Sequence, residues 1–484
     1  MKGYVIMAEI QKFNRTELLA DAEQFMGQYR TLKELGFINK GGEFFPSGVH
    51  YPPITMYPPI TQEDFFKGYH LPEDGLLDIY THIPFCEKRC LFCHYPVKLG
   101  PGHELEKDRY LSALEKEMDI YMGLLGLDRI KARSILVGGG TPTYLTPAQL
   151  KRFLDFFVKR VDLSKCTQFN YDVDPNTLLG ADGAERLRIM RDYGVDRLTI
   201  GVQSLNDQTL RNMNRHHGVK EVLDSIEESR KLGYQLNIEF IFGFPGQTID
   251  SWIDDIEMAM SLDVDEIQIY RLKIEAYGDY QGPVKNVIEK QALRVLDDNE
   301  TLMMKRIAIN MLTSRGFTEN IRRVFCRTKK HVSHYAWNQC CMLYDEVGFG
   351  LTAFSSLRDR YGLNTQFFDE YYAQIAAGKL PLNRGLVRNE EEQKRWAAIL
   401  PLKNSYVQKK IYRERTGESV ENFFPEKMAR LKEYGLMVED EHRITPTKLG
   451  AFFADEVVQQ FYRSDYMPLA REEYAEGPLN PYLP

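Results

Sequence analysis

Three cysteines stand close together early in the chain, and their type and spacing suit metal chemistry. Cys86, Cys90 and Cys93 form a C-x3-C-x2-C pattern just after an apolar run at 76–82 that predicts a β-strand. Three thiolates are one ligand short of a closed structural zinc site. They suit a [4Fe–4S] cluster with one open iron, because soft thiolates select iron–sulfur clusters or zinc. A zinc knuckle and three unrelated core thiols are the alternatives.

The residues around these cysteines carry a longer pattern. Tyr80-Thr-His-Ile-Pro-Phe-Cys86, followed by Cys90-Leu-Phe-Cys93, resembles the cluster loop of radical S-adenosylmethionine (radical SAM) enzymes. The resemblance is strongest to the HemN-like branch, typified by oxygen-independent coproporphyrinogen III oxidase, and it extends over roughly residues 70 to 460. It implies a [4Fe–4S] cluster that binds and reductively cleaves SAM, giving a 5′-deoxyadenosyl radical that abstracts hydrogen from carbon.

Later motifs at the ends of predicted strands resemble the SAM-binding parts of the same family. The glycine-rich turn after the second predicted strand maps Gly139, Gly140 and Thr141 to the stretch that meets the amino group of SAM. Glycines allow a backbone to approach a ligand closely. Gln203 and Arg215 match a glutamine and an arginine near SAM, where an amide suits ribose hydroxyls and a guanidinium suits a carboxylate.

Four further positions depart from the family pattern or complete it. Asp172 stands where the family usually has Glu, and Glu239 stands where it usually has Asp, so the two could compensate if they face a common ligand. Ile241 matches an apolar position that contacts adenine. Lys273 replaces a residue that is usually small beside a second SAM, so a second SAM site would be altered here.

Aromatic and polar residues flank the cysteines. Tyr80 and Phe92 would cover the cluster, exclude water and help to set its potential. Coproporphyrinogen oxidases usually carry a fourth cysteine where Tyr95 stands and a glycine where His94 stands. His94 or Tyr95 could therefore relay protons, or both could simply pack beside the cluster.

Strand-like and helical patterns alternate from about residue 76 to 285. This alternation implies parallel βαβ units, and six of them predict an α/β fold built as a partial (β/α)6 barrel of the TIM type. Radical SAM cores have that architecture, with their chemistry at the C-terminal ends of the strands. The later predicted strands lie at 134–137, 168–173, 197–200, 236–242 and 266–270.

The sequence predicts three domains. Residues 1–75 form a helical segment and a Pro/Gly/Tyr-rich arm, which either packs on the core or closes over the active site. Residues 76–287 form the radical SAM core. Residues 288–484 form a mainly helical HemN-like domain, with one long helix at 288–315, an aromatic-rich segment at 330–390 and a winged-helix-like unit at 391–462.

Composition excludes several function classes. A net charge of -7 over 484 residues argues against a nucleic-acid partner, and no apolar run reaches membrane-spanning length. The N-terminus lacks a secretory signal, so a cytoplasmic location with reduced thiols is expected. The remaining cysteines are predicted to be buried thiols that pack like apolar side chains: Cys166, Cys326, Cys340 and Cys341. An auxiliary metal site at the adjacent pair Cys340-Cys341 is the alternative.

Three reactions remain open. The first is two-SAM carbon–carbon bond formation, either methylation or cyclopropanation of an organic substrate. The second is oxidative decarboxylation or another tetrapyrrole reaction, in which a basic run would hold propionates. The third is a haem-binding carrier, which the long segment before the cysteines disfavours. An enzyme would need a one-electron donor such as flavodoxin or ferredoxin. The basic run comprises Arg322, Arg323, Arg327, Lys329 and Lys330.

Overall fold

Six parallel strands form the centre of the molecule. The computed structural model describes residues 12–42, 50–276 and 280–484. Each central strand lies beside the next one in the chain, and all adjacent pairs are parallel. The strands are β1 (Leu76–Ile83), β2 (Ile130–Gly139), β3 (Phe169–Val173), β4 (Arg197–Gln203), β5 (Gln235–Phe242) and β6 (Glu266–Arg271). All six predicted strands are therefore confirmed.

Helices connect these strands and bury the sheet. Thr146 and Thr248 each begin a helix with a capping box, in which the threonine accepts from the amide three residues on. Long buried stretches in β1 and β5 fit a parallel sheet that is covered on both faces. The helices are Glu104–Leu125, Pro147–Arg160, Gly180–Asp192, Asp207–Asn212, Val219–Lys231 and Ile249–Ser261.

The sheet extends beyond the central strands on both sides. Two antiparallel strands, β7 (Thr318–Ile321) and β8 (Val324–Cys326), continue it past β6. On the other side β9 pairs parallel to β1, and three antiparallel strands follow. These are β9 (Glu346–Phe349), β10 (Phe354–Leu357), β11 (Arg360–Asn364) and β12 (Leu382–Val387). The sheet thus crosses residue 287, and the three-domain division stays a prediction.

The single helix predicted at 288–315 is wrong. Two helices stand there, Val284–Gln291 and Asp298–Ser314. The first ends at Ala292 in a left-handed conformation with φ 46°. Asp297 then caps the second helix and forms a capping box with Glu300. Two local signals, a left-handed C-terminus and a new N-cap, therefore outweigh the continuous helical pattern.

The C-terminal part is mainly helical, as predicted. Helix Glu390–Asn404 lies beside a small sheet in which Arg443–Pro446 is flanked by Val407–Gln408 and Met437–Glu439. This arrangement is winged-helix-like, and together with the central sheet it confirms the predicted fold class. Further helices are Phe368–Ala376, Lys409–Thr416, Val420–Phe423, Pro425–Glu433, Lys448–Phe452 and Ala454–Gln459.

The N-terminal segment packs against the C-terminal part. Helix Arg15–Glu34 begins at the cap Asn14 and buries Phe25, Met26 and Tyr29 in an apolar core shared with residues from 396 to 479. Tyr51 of the arm is only 1% exposed in the same core. Residues 43–49 of the arm lie outside the described residues. Among the described residues, no helix is both long and apolar enough to cross a membrane.

Candidate cluster and SAM site

The cysteine loop leaves the end of β1 and is tied to the segment after helix Asp207–Asn212 and to the turn after β2. The amide of Leu91 donates to the Met213 carbonyl at 3.1 Å, and the Asn214 side chain donates to the Arg89 carbonyl at 2.7 Å. Thr141 Oγ1 donates to Cys86 Sγ at 3.4 Å. The loop therefore has a fixed position over the sheet.

The chemistry of the three thiols suits a cluster. Burial raises the pKa of Cys86 to about 12 and also raises the pKa of Cys93. Such thiols keep their protons until a metal centre replaces them. No group of three His, Cys, Asp or Glu among residues 12–42, 50–276 and 280–484 is arranged to hold a metal ion. That finding concerns one shared ion, whereas each thiolate of a [4Fe–4S] cluster binds its own iron.

The glycine-rich turn lies directly against this loop. A Cβ added to Gly140 would stand 2.9 Å from Cys86 Sγ, and one added to Gly139 would stand 2.9 Å from the His82 ring. Gly139 also has a φ of 117°, which side-chain residues rarely adopt. Thr141 follows and donates its amide to the Phe85 carbonyl at 2.8 Å. The turn can therefore bring backbone polar groups close to a ligand at the cysteine loop.

His82 is a site residue that the sequence reasoning missed. Its ring is 1% exposed, and burial lowers its pKa to about 3, so the imidazole is neutral. Nδ1 lies 2.9 Å from the Tyr80 hydroxyl, while Nε2 is buried without a hydrogen-bond partner among the described residues. An orphaned polar atom beside the glycine turn fits a ligand there. The histidine within His-Ile-Pro-Phe-Cys was the available signal.

Arg215 joins the cysteine loop to the strand ends. Its Nη1 donates to Cys90 Sγ at 2.9 Å, and its Nη2 donates to Asp174 Oδ2 at 2.7 Å and to the Gly201 carbonyl at 2.9 Å. The resemblance predicts that Arg215 lies near SAM. Its contact with the SAM carboxylate remains a prediction.

Asp174 was also missed, although it follows β3 directly. Burial alone would raise its pKa, but Arg215 and the rings of His216 and His217 hold that pKa well below its usual range. His216 Nε2 lies 3.2 Å and His217 Nδ1 lies 3.6 Å from the carboxylate. The adjacency of both histidines to Arg215 was the only sequence signal for this network.

Asp172 and Glu239 lie on β3 and β5 with β4 between them. Burial raises the pKa of both carboxyls, and the charge on Asp172 raises that of Glu239 further. Asn170 donates to Asp172 at 3.2 Å, and the Tyr270 hydroxyl lies 3.5 Å from Glu239. The two acids are thus close enough to repel each other. Their service to a common ligand stays a prediction.

Two more predicted residues meet beside the loop in an apolar patch. Ile241 is buried with Met213 and Phe244, and Phe92 packs against this group. Gln203 lies separately, at the end of β4, with a positive φ of 69°. Ile241, Phe92 and Gln203 are therefore all at the carboxyl edge of the sheet, and their contacts with SAM stay predictions.

His94 and Tyr95 differ in their surroundings. The Gly282 amide donates to His94 Nδ1 at 3.0 Å, and His94 Nε2 lies 3.1 Å from the carbonyl of Lys273. Both ring nitrogens therefore have backbone partners. The Tyr95 side chain is 52% exposed, and its ring lies 5.7 Å from the His82 ring. The proton-relay role of either residue stays a prediction.

Five residues at the carboxyl edge define what we call the strand-end site. Contacts connect them: a Cβ added to Gly138 would stand 2.6 Å from Asp172 Oδ2 and 3.4 Å from the Tyr80 ring, and the Tyr270 hydroxyl lies 3.5 Å from Glu239. The Tyr95 ring lies 5.7 Å from the ring of His82, whose Nδ1 is 2.9 Å from the Tyr80 hydroxyl. Tyr80 also stacks on Phe354, with ring centroids 6.1 Å apart. The strand-end site consists of Tyr80, Tyr95, Asp172, Glu239 and Tyr270.

Comparison with known proteins identifies the domain that contains this site. Residues 80–259 match the model of the radical SAM superfamily. This stretch of the chain is therefore similar to the radical SAM superfamily. The predicted cofactors, a [4Fe–4S] cluster and SAM, are confirmed as those of this superfamily. Cys86, Cys90 and Cys93 are the residues that would hold the cluster.

Full-length relatives narrow the resemblance. The heme chaperone HemW of Bacillus subtilis is 29% identical over 390 residues, which cover 79% of this chain and 98% of that protein. An oxygen-independent coproporphyrinogen III oxidase of Helicobacter pylori is 23% identical, covering 86% of this chain and 93% of that protein. The radical SAM, HemN-like resemblance predicted from the cysteine loop is therefore confirmed.

The fold has a solved counterpart. The structure of coproporphyrinogen III oxidase (HemN) from Escherichia coli superposes with a TM-score of 0.68. The match covers 81% of this chain and 90% of that chain at 24% sequence identity. The predicted two-SAM carbon–carbon bond formation finds no support among these relatives.

Proposed function

We propose that the protein is a radical SAM enzyme that abstracts hydrogen from a tetrapyrrole substrate. The supporting observation is the joint placement of three thiols, a close-packed glycine turn and Arg215 at one end of a parallel sheet. The tetrapyrrole assignment rests on the names of the relatives, which are coproporphyrinogen oxidases and heme chaperones.

When bound, the cluster and SAM supply one-electron cleavage of a sulfonium bond and the resulting hydrogen abstraction. The protein provides position and exclusion of water. Arg215 holds a positive charge against the Cys90 sulfur, where negative charge accumulates. Asp172 and Glu239, with raised pKa values, can accept or hold a proton near neutral pH at the strand-end site.

Aromatic rings beside the strand-end site suit a large, flat substrate. Tyr80 stacks on Phe354 and Phe354 stacks on Tyr361, with the centroids of the second pair 5.3 Å apart. His50 of the N-terminal arm packs edge-on against Phe354 at 4.5 Å. Such a wall offers apolar contact to a macrocycle and keeps water from the reacting atoms.

The test uses anaerobically purified, iron–sulfur-reconstituted protein with SAM and a strong reductant. Nucleoside products are separated by chromatography with and without coproporphyrinogen III, and Cys90→Ala serves as the cluster-loop control. We expect 5′-deoxyadenosine from the wild type, with more of it when the tetrapyrrole is present, and none from the variant. Equal amounts with and without every tetrapyrrole tried would contradict the substrate assignment.

A haem-binding carrier is the second candidate, because the HemW relative matches over nearly its whole length. A carrier would bind haem stoichiometrically and form no 5′-deoxyadenosine although its cluster is intact. The same chromatography therefore separates the two functions. S-adenosylhomocysteine beside 5′-deoxyadenosine would instead restore the two-SAM reaction predicted from the sequence.

A further inference from the structure

Arg323 differs from every other member of the basic run predicted from the sequence. Arg322 pairs with Glu319 at 3.1 Å, and Arg327 donates to three main-chain carbonyls near residue 262. Lys329 and Lys330 are exposed. The Arg323 guanidinium makes no hydrogen bond or ion pair with any residue that the structure describes.

The backbone holds Arg323 in place. It lies in the turn between β7 and β8 with a φ of 72°, a conformation that is uncommon for residues with side chains. Its amide donates to Glu319 Oε1 at 2.7 Å, and its carbonyl accepts from the Ile269 amide at 3.0 Å. A turn fixed at both ends, on an edge of the central sheet, presents a half-buried guanidinium at a defined position.

The position is next to the strand-end site. Arg323 Cζ lies 5.4 Å from the centroid of the Tyr270 ring, and the Tyr270 hydroxyl lies 3.5 Å from Glu239. An anionic group held by Arg323 would therefore be separated from Glu239 by the Tyr270 ring.

Two lysines share this environment. Burial, together with the nearby charges of Arg323 and Lys403, lowers the pKa of Lys273 to about 6. Lys403 is itself buried, and its Nζ lies 3.2 Å from Asp455 Oδ1. With this pKa Lys273 is mostly neutral at neutral pH, and a carboxylate bound beside Arg323 would raise that pKa again because an opposite charge favours the protonated lysine.

We propose that Arg323 forms a carboxylate-binding site that anchors an acidic side chain of the substrate beside the strand-end site. The inference rests on the proposed function, and it assigns to Arg323 the part of the substrate that it holds, a carboxylate side chain. The guanidinium fork can bind a carboxylate through two parallel hydrogen bonds.

Equilibrium binding of coproporphyrin III, followed by its fluorescence, tests this site. Arg323→Gln should weaken binding at least about tenfold, because it removes hydrogen bonds between charged groups. Arg322→Gln, one residue away and already paired with Glu319, is the matched control and should bind as the wild type does. Arg323→Lys should fall between the two, because it keeps the charge and loses the fork.

A second ligand tests whether the site recognises the carboxylates of coproporphyrin III. The tetramethyl ester of coproporphyrin III carries no negative charge, so its affinity should be equal for the wild type and Arg323→Gln. Equal binding of coproporphyrin III by the two proteins would overturn the site, as would equal weakening in Arg322→Gln or no coproporphyrin binding by the wild type.

A separate measurement tests the proposed function. Formation of 5′-deoxyadenosine from SAM by the wild type, measured in the absence of tetrapyrrole, reports the radical SAM function without using the carboxylate site. If that product forms while Arg323→Gln binds coproporphyrin III normally, the carboxylate site fails and the radical SAM function stands. If it does not form in the wild type, the function itself fails.

Discussion

Two arginines at the same edge of the sheet are used in opposite ways. Arg215 has its terminal nitrogens engaged by Cys90, Asp174 and the Gly201 carbonyl, so its charge is compensated within the fold. Arg323 has a fixed backbone and a guanidinium without a hydrogen-bond partner among the described residues. The protein itself therefore compensates the charge of Arg215 at the cysteine loop, which we call the cluster end of the site. The charge of Arg323 beside Tyr270, at what we call the ligand end, is available to a ligand.

The largest effect is expected at the compensated arginine. Arg215→Gln leaves Asp174 buried at 5% exposure without its main counter-charge, so the free energy of unfolding should fall by about 3–5 kcal/mol. Urea unfolding of the reconstituted protein measures this. Arg211→Gln, on an exposed helix turn, is the control and should change stability by less than about 0.5 kcal/mol. Equal free energies of unfolding for Arg215→Gln and Arg211→Gln would contradict the structural role of Arg215.

The carboxylate pair should give the next largest effect, through pH. The raised pKa values of Asp172 and Glu239 mean that the folded state binds more protons than the unfolded state above about pH 4. Their contribution is therefore present at low pH and is lost as pH rises through the folded-state values. Glu239→Gln should stabilise the protein relative to wild type, increasingly from pH 5 to 8, by up to about 1.4 kcal/mol per pH unit. A pH-independent difference in urea unfolding would contradict this.

Variants of His94 test whether this residue stabilises the fold beside the cysteine loop or takes part in the reaction. His94→Phe loses the bonds to Gly282 and to the Lys273 carbonyl and should cost about 1–3 kcal/mol of stability. His94→Gln keeps one donor and one acceptor, so we expect it to keep most of the 5′-deoxyadenosine formation. A stable His94→Gln variant that forms none would instead support the proton-relay role.

The smallest effect on stability is expected at the ligand end. Arg323→Gln removes a guanidinium that stacks on Tyr270 and has no described hydrogen bond, so unfolding should change by less than about 0.5 kcal/mol. The pKa of Lys273, which Arg323 lowers, should rise at the same time. A loss of several kcal/mol would show that Arg323 is a structural residue like Arg215.

The features of the site that the sequence predicts are those whose residues lie close together along the chain. The cysteine loop, the glycine turn and the six strands were predictable, because short spacings and local periodicity determine them. The Arg215–Asp174 pair spans 41 residues, and Arg323 meets Tyr270 only because β8 pairs with β6. The pairing of β9 with β1 and the break before Asp298 were likewise missed, since tertiary contacts and caps override a continuous pattern.

The most direct test of the cluster end is the electron paramagnetic resonance spectrum of the reduced, reconstituted protein before and after addition of SAM. We predict a signal from a reduced [4Fe–4S] cluster whose shape changes when SAM is added, because three cysteine ligands leave one iron open. Cys90→Ala should lack this response. A wild-type cluster signal that SAM leaves unchanged would contradict SAM binding at the cysteine loop and, with it, the proposed chemistry.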